Sequence, residues 1–175
     1  MRNFVVISFL IACSVTAVSQ QLSSQTRAQE IAASFTKFKH LAKEKHGVRL
    51  EKYKDVRSEP DVKQNIREYS GLYEVPDLGY VINIQVGSDG RVQATGDDSS
   101  RSFKLENLRI EGALLTGSKI YTNGRAEKFE GAFLTRTDRN SPTDTGVTMF
   151  GLGVILNTPV EVNGITYDKL FYQRK

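Results

Sequence analysis

From about residue 70 onward, apolar side chains recur at every second position, and this period most constrains what the chain can fold into. Tyr80, Ile82, Ile84 and Val86 share one face of a predicted strand, while the opposite face is mixed. Asn163-Gly164, between two further alternating stretches, is typical of a two-residue hairpin turn. The pattern predicts strands at 71–75, 80–87, 91–96, 102–111, 113–121, 127–136, 146–156, 158–162 and 165–173. We therefore expect an antiparallel barrel of about eight strands.

A short sequence repeat falls in two of the predicted strands. Glu111–Thr116 reads EGALLT and Glu130–Thr135 reads EGAFLT, so each copy places a glycine among apolar residues. We interpret the copies as similar barrel strands that bend at their glycines. Together with the alternation at 80–87, they predict a barrel interior lined by Ile82, Ile84, Ile110, Gly112, Leu114, Phe129, Gly131 and Phe133.

The first nineteen residues have the layout of a secretory signal peptide. A cationic start, Met1-Arg2-Asn3, precedes an apolar run over residues 4–12, and Ala17-Val18-Ser19 is a small-x-small cleavage site. We expect a signal peptide over residues 1–19 and a secreted or periplasmic protein. Because the single cysteine, Cys13, lies inside this segment, a chain cleaved after Ser19 has neither a thiol nor a disulfide.

The same segment also has a second interpretation, a lipoprotein signal. Leu10-Ile11-Ala12-Cys13 resembles a bacterial lipobox, in which the cysteine becomes the lipidated first residue and anchors the chain to a membrane. Cleavage there would leave a signal of only twelve residues, which is short against the usual length of about 15 to 30. Association with a membrane is therefore expected only if Cys13 is lipidated.

An amphipathic helix is predicted from Gln25 to His46, with Gly47 as its natural stop. Its apolar residues recur at steps of three and four: Ala28, Ile31, Ala32, Phe35, Phe38, Leu41 and Ala42. A free helix would expose this stripe to water. We therefore expect the helix to pack on the barrel, over the almost continuously apolar strand at 149–156.

The predicted organisation has three parts: a signal peptide at 1–19, a basic helical arm at 20–67 and a barrel at 68–175. Residues 48–59 are interpreted as a charged connector. A second, short helix is predicted after it, with Asp61 as its N-cap.

The arm is basic, with ten Lys/Arg against five Asp/Glu from Lys37 to Arg67. Such a run is typical of a solvated helix face, and contact with anionic lipid or polysaccharide is the alternative. Export argues against a nucleic-acid partner.

The sequence contains none of the common catalytic or phosphate-binding motifs. His40 and His46 lie about 240° apart around a helix, so they cannot jointly hold a metal ion there. The segment 138–144 offers oxygen ligands but lacks the glycine and the twelfth-position glutamate of a calcium loop. We expect no cofactor and no metal, and an enzyme is the least favoured class, with paired glutamates for glycoside hydrolysis left open.

Four short stretches carry a resemblance to a known family: Tyr69–Val75, Ile82–Val86, Asp89–Val92 and Phe103–Leu105. Together they resemble the opening of the small lipocalin-like β-domains of secreted bacterial proteins, including domains appended to penicillin-binding or β-lactamase-like serine hydrolases. The resemblance implies a barrel, a bacterial envelope setting and an apolar ligand, and it implies no catalytic residue. The chain departs from lipocalins in having Gly71-Leu72-Tyr73 in place of their Gly-x-Trp start, and no disulfide.

Two functions follow from this fold. The first is a non-enzymatic protein that binds a small apolar or amphipathic ligand inside the barrel. The second is an envelope module that interacts with another protein, or serves a structural role, with a barrel filled by its own side chains. An interior space of roughly 300 Å³ or more would favour the ligand, and a packed interior would favour the interaction module.

Overall fold

The computed structural model describes residues 20–37, 39–40, 56–75, 80–98, 102–137, 147–152, 161–162, 165–166 and 169–174. The predicted signal peptide, the predicted helix end at Gly47 and the acidic segment 138–144 lie outside the described residues. Within them, the protein is mainly β with one α-helix, α1, at residues 20–37 and continuing at 39–40.

The strands follow α1 in the order β1 (Val56–Pro60), β2 (Gly71–Val75), β3 (Tyr80–Val86), β4 (Val92–Asp98), β5 (Ser102–Glu111), β6 (Leu114–Tyr121), β7 (Ala126–Arg136), β8 (Val147–Leu152), β9 (Glu161–Val162), β10 (Ile165–Thr166) and β11 (Lys169–Arg174). A short 3-10 helix, Ile66–Tyr69, precedes β2. Each predicted strand coincides at least in part with an observed one. The last predicted strand is divided between β10 and β11.

Seven antiparallel strands, β1 to β7, form a curled sheet. β8 pairs with β7, and β11 pairs with both β8 and β2, so strands β2 to β8 and β11 form a ring. The alternation of the sequence produces this fold because each strand buries one face inside the ring. β9 and β10 form a separate small hairpin, which places the predicted Asn163-Gly164 turn between paired strands.

Glycines allow two tight hairpin turns, β3–β4 and β6–β7. Gly90 in the β3–β4 turn has a φ of +78°, and Gly124 in the β6–β7 turn has a φ of +82°. Both are left-handed conformations that residues with a Cβ adopt at a cost. Both turns lie between strands that the sequence pattern predicted, at 80–87 and 91–96 and at 113–121 and 127–136.

The inward-facing residues form continuous rows across the strands. One row runs through Ile84, Ala94, Leu105, Lys119 and Glu127, each the direct cross-strand partner of the next. Every residue in this row is buried. All inward residues of neighbouring strands therefore share one core.

Tyr69, the last residue of the 3-10 helix, is fully buried in the core. Its ring stacks on Phe133 with centroids 4.0 Å apart. Its hydroxyl donates to the Asp61 carbonyl at 2.6 Å and accepts from the Lys63 backbone N–H at 2.8 Å. The Tyr73 hydroxyl in turn donates to the Tyr69 carbonyl at 2.6 Å. Burial of the phenol, the largest cause, raises the pKa of Tyr69 to about 12.

Helix α1 packs on the outer face of β7. Ala132 and Leu134 face away from the barrel interior, yet neither exposes any surface. Arg27 of the helix donates two hydrogen bonds to Glu130 on the same outer face, at 3.0 and 2.6 Å. The buried stripe Ala28, Ile31, Ala32 and Phe35 belongs to the same core as the barrel residues. The prediction that the arm helix packs on the barrel is thus confirmed, and its described contacts are with β7 and β1, while the side chains of the predicted contact strand at 149–156 lie outside the described residues.

Three predictions about the arm were wrong. The helix already includes residues 20–24, before its predicted start at Gln25. The predicted connector contains β1, which pairs with β7, so the arm and the barrel share one sheet. The N-cap of the short helix is Asn65, whose side chain accepts from the Arg67 N–H, while Asp61 lies earlier and is buried. β1 was missed because a strand that carries Arg57 and Glu59 in solvent has little apolar signal.

The two copies of the sequence repeat also differ in structure. Gly131 lies within β7, whereas Gly112 lies in the turn between β5 and β6 with a φ of +60°. Because a turn interrupts the first copy, identical residues of the two copies occupy different structural positions. None of the helical segments among the described residues is long and apolar enough to cross a membrane.

Candidate functional site

The structure places five of the predicted interior residues inside the barrel. Ile82, Ile84, Phe129 and Phe133 expose no surface, and Gly131 is buried between Leu115 and Gly151 in the sheet. Ile110 faces the same side as Leu115, near the end of β5, and is partly buried against the core.

Two of the predicted interior positions were wrong. Gly112 is exposed in the β5–β6 turn. Leu114 is 6% exposed, but its cross-strand partner is Ala132, so it lies on the outer face under helix α1. The physical reason is the same for both: the turn at 112–113 places Leu115, and not Leu114, in the inward register.

The described interior is packed with side chains of the protein itself. A side chain that borders a ligand-sized space exposes surface to it, and six large inward residues expose none: Tyr69, Tyr73, Ile82, Ile84, Phe129 and Phe133. Around these residues, the barrel therefore leaves no room for a ligand.

The interior also holds a buried lysine that the sequence pattern did not single out. Lys119 is 0% exposed, and its ammonium donates to the Tyr121 hydroxyl at 2.6 Å. The same nitrogen lies 4.3 Å from the ring centroids of both Phe103 and Tyr121. These aromatic faces and the hydroxyl partly replace the water that a charged ammonium loses on burial.

Glu127 faces Lys119 from the neighbouring strand. Its side chain is 1% exposed, and Arg125 from the turn brings a guanidinium nitrogen within 2.9 Å of Oε1. Neither carboxylate oxygen has a hydrogen bond of good geometry within the described part of the chain. The close approach of Arg125 balances the charge, and the orientation of its N–H groups leaves the hydrogen bonds unmade.

A groove lies on the outer face of β3, β4, β5 and β6. Its larger hollow, about 710 Å³, is lined by residues that alternate with the buried core: Val81, Asn83, Thr95, Asp97, Ser102, Lys104, Glu106, Ile120 and Thr122, with Gly96, Phe103 and Tyr121 at the wall. A second hollow of about 390 Å³ shares Asn83, Thr95, Lys104 and Glu106 with it and adds Gln85 and Gln93. The groove therefore spans four strands.

Gly96 and Phe103 account for the shape of this wall. A methyl group at position 96 would overlap the Phe103 ring, so the glycine lets that ring lie flat against β4 on the inner side. Helix α1 contacts β7 and β1, and it leaves the polar outer positions Asn83, Thr95 and Lys104 exposed.

Electrostatics are pronounced where the helix meets β7. Burial alone would raise the pKa of Glu130, but hydrogen bonds from Arg27 and Lys128 outweigh it and hold that pKa below its ordinary value. The Arg27 pKa is raised in turn, chiefly by its hydrogen bonds to Glu130. This carboxylate stabilises the helix contact.

The residues considered in the sequence for metal binding or catalysis do not form a site among the described side chains. His40 is exposed at the end of the described helix. Among the described side chains, no three of His, Cys, Asp and Glu lie close enough to hold a metal ion. The glutamates considered for glycoside hydrolysis include Glu130, which is paired with Arg27, and Glu111, which lies 3.9 Å from Arg109.

Sequence reasoning missed both the groove and the Lys119 cluster. The Lys119 cluster could have been found from the alternation of the strands. Lys119 lies on the same strand face as Leu115 and Tyr121, and Glu127 lies on the same face as Phe129. The groove had no comparable signal, since polar residues on the outer face of a strand are ordinary.

Comparison with known proteins gives no relative: no family model, no curated protein and no solved structure matches this chain.

Proposed function

We propose that the protein is an exported, non-enzymatic binding module, in which the barrel is a filled scaffold and the outer groove of β3 to β6 contacts the partner. The observation that carries the proposal is the contrast between the two faces. Inside, Ile82 and Ile84 of β3 expose nothing, while the outer face of β3 to β6 borders a hollow of about 710 Å³. Export rests on the layout of residues 1–19.

A filled interior favours this function over the carriage of an apolar ligand. Ligand sites bury most of a small molecule within about 300 to 1,000 Å³, so a ligand in the described interior would have to displace core side chains. The groove needs no such rearrangement. Its volume lies within that range.

The first experiment tests the interior. The protein, purified from the cells that produce it, is weighed by mass spectrometry under native and denaturing conditions. The proposal predicts that both masses correspond to the polypeptide alone. A small molecule that stays bound under native conditions and leaves on denaturation would support the barrel-ligand function instead.

The second experiment tests the groove. Thr95→Arg places a long charged side chain in the groove at an exposed strand position, and Thr26→Arg makes the same change on an exposed face of helix α1. Retention of each variant on envelope or extracellular material of the producing organism is compared with that of the unaltered protein. Retention should fall at least tenfold for Thr95→Arg alone. Equal retention of all three proteins would overturn the proposal.

A second candidate, the binding of a small amphipathic ligand inside the barrel, is favoured by the Lys119 cluster. Burying Lys119 and Glu127 costs free energy that a purely apolar core would not spend. A polar ligand group could supply the hydrogen bonds that the Glu127 oxygens lack. The native mass measurement distinguishes this candidate from the filled scaffold.

A further inference from the structure

We propose that Gln20 is a modification site: once the signal peptide is removed after Ser19, this glutamine cyclises to a pyroglutamyl residue and blocks the amino terminus of helix α1. Export is part of the proposed function, and the modification rests on it. The modification also goes beyond that function, because it assigns a covalent change to the mature chain. Three features of residue 20 carry the proposal: its chemistry, its exposure and its place in the helix.

Glutamine at a new amino terminus is suited to react with its own amine. Residues 17–19 read Ala-Val-Ser, and cleavage after Ser19 leaves Gln20 with a free α-amino group. Cα, Cβ and Cγ separate the α-nitrogen from the side-chain carbonyl carbon Cδ, so a bond between the two closes a five-membered ring. Because the two groups belong to one residue, the effective concentration of the amine at Cδ is high.

The reaction is a transamidation that needs no oxidant and no cofactor. The neutral α-amino nitrogen attacks Cδ, a new N–Cδ amide bond forms, and the bond from Cδ to Nε2 breaks. A proton from the attacking nitrogen leaves with Nε2 as ammonia, so the chain loses about 17 Da and one ionisable amine. An α-amino group has an ordinary pKa of about 8, so part of it is neutral and nucleophilic near pH 7.

The structure leaves the Gln20 side chain accessible for this reaction. Residues 20–23 are exposed, and Ser24 is the first of the described α1 residues to be buried. The Gln20 carbonyl accepts a hydrogen bond from the Ser23 hydroxyl at 2.7 Å, whereas the Gln20 side-chain amide makes no hydrogen bond to another described residue. The amide can therefore turn onto the α-amine without breaking a contact within the described part of the chain.

The position of Gln20 gives the modification a structural consequence. After cleavage, Gln20 is the first residue of α1, where the helix dipole disfavours a positive charge. Residues 20–26 carry no acidic side chain, and Glu30, further along the helix, is paired with Arg27 at 2.9 Å. On the helix itself, nothing in the first turn offsets a terminal ammonium. Formation of the lactam removes that charge.

The test is mass spectrometry of the mature protein, produced from the full chain in its own cells with no tag at the amino terminus. Intact mass and the sequence of the terminal peptide should show a chain that begins at Gln20 and lacks one ammonia. An amine-reactive label should modify the lysines and leave residue 20 unlabelled.

Gln20→Asn and Gln25→Asn are the matched variants. Gln20→Asn should keep its ammonia and take up the label at its terminus, because the shorter side chain could close only a strained four-membered ring. Gln25→Asn makes the same change at an exposed position inside α1, so its terminus should stay cyclised.

The outcomes that would overturn the modification differ from those that would overturn the proposed function. A chain that begins at Gln20 and takes up the label contradicts the lactam and leaves export intact, and so does a lipidated terminus at Cys13. A terminus that stays unlabelled in Gln20→Asn shows that another group blocks it, which also contradicts the lactam. A chain that keeps residues 1–19 contradicts both the modification and export. The retention of Thr95→Arg tests the groove separately and does not depend on residue 20.

Discussion

Lys119 occupies an inward position that an apolar residue fills in most barrel strands. The hydroxyl of Tyr121 and the rings of Phe103 and Tyr121 surround its ammonium, and Glu127 faces it across the β6–β7 pair. The alternation of β6 predicted the strand itself. It did not predict this cluster, because the sequence pattern assigns lysine to the solvent face and only the register shows otherwise.

Replacing Lys119 by methionine should lower the free energy of unfolding by about 3 kcal/mol, because Glu127 would lose a buried positive neighbour. The double variant Lys119→Met, Glu127→Gln should lose at least about 1 kcal/mol less than the sum of the two single variants. Urea unfolding measures all three. As a control, Lys128→Met at a position that is 76% exposed in the next strand should cost less than about 1 kcal/mol. Additive losses would show that Lys119 and Glu127 do not interact.

Among the elements, helix α1 followed from its 3.6-residue period, and β1 did not follow from any pattern. The period identified Ile31 and Phe35 as buried, and both are 0% exposed. β1 is held by its pairing with β7 and by the Asp61 N–H, which donates to the Phe133 carbonyl at 2.8 Å. Backbone hydrogen bonds of this kind do not require particular side chains, so the amino-acid pattern of β1 did not predict a strand.

Phe35→Ala should lower the free energy of unfolding by about 3 to 5 kcal/mol, because the side chain leaves a cavity between the helix and the sheet. Leu22→Ala in the same helix removes a side chain that is 64% exposed, so its cost should stay within about 0.5 kcal/mol. Thermal or urea unfolding checks both. Equal losses would mean that the helix is not part of the folded core.

Glu130→Gln should cost on the order of 1 kcal/mol at neutral pH, because Arg27 is 40% exposed and solvent screens the pair. Since the pKa of Glu130 is lowered in the folded protein, its contribution is complete above the ordinary value of 4.5 and is lost as the pH falls below it. The difference in stability between Glu130→Gln and the unaltered protein should therefore shrink on acidification. A difference that stays constant from pH 7 to pH 3 would contradict this role, and exposed Glu106→Gln is the control.

For the molecule as a whole, turns and alternation were enough to predict a barrel, because β2 to β8 form a meander in which neighbours in sequence pair in the sheet. They could not predict whether its interior is open, since that depends on the volume left after packing. Phe133 illustrates the point: the sequence placed it inside, and only the structure shows it between Tyr69 and Tyr73. The groove was equally hidden, because the residues on the outer face of its strands form an ordinary alternating pattern.

The unfolding free energy of Phe133→Ala measures whether the barrel is filled around this side chain. Phe133 is 0% exposed and its ring centroid lies 4.0 Å from that of Tyr69. Removal of a fully packed phenylalanine costs about 3 to 5 kcal/mol, and we expect a loss in this range. A loss below about 1.5 kcal/mol would indicate that the side chain borders open space, which would contradict the filled scaffold and favour a ligand inside the barrel.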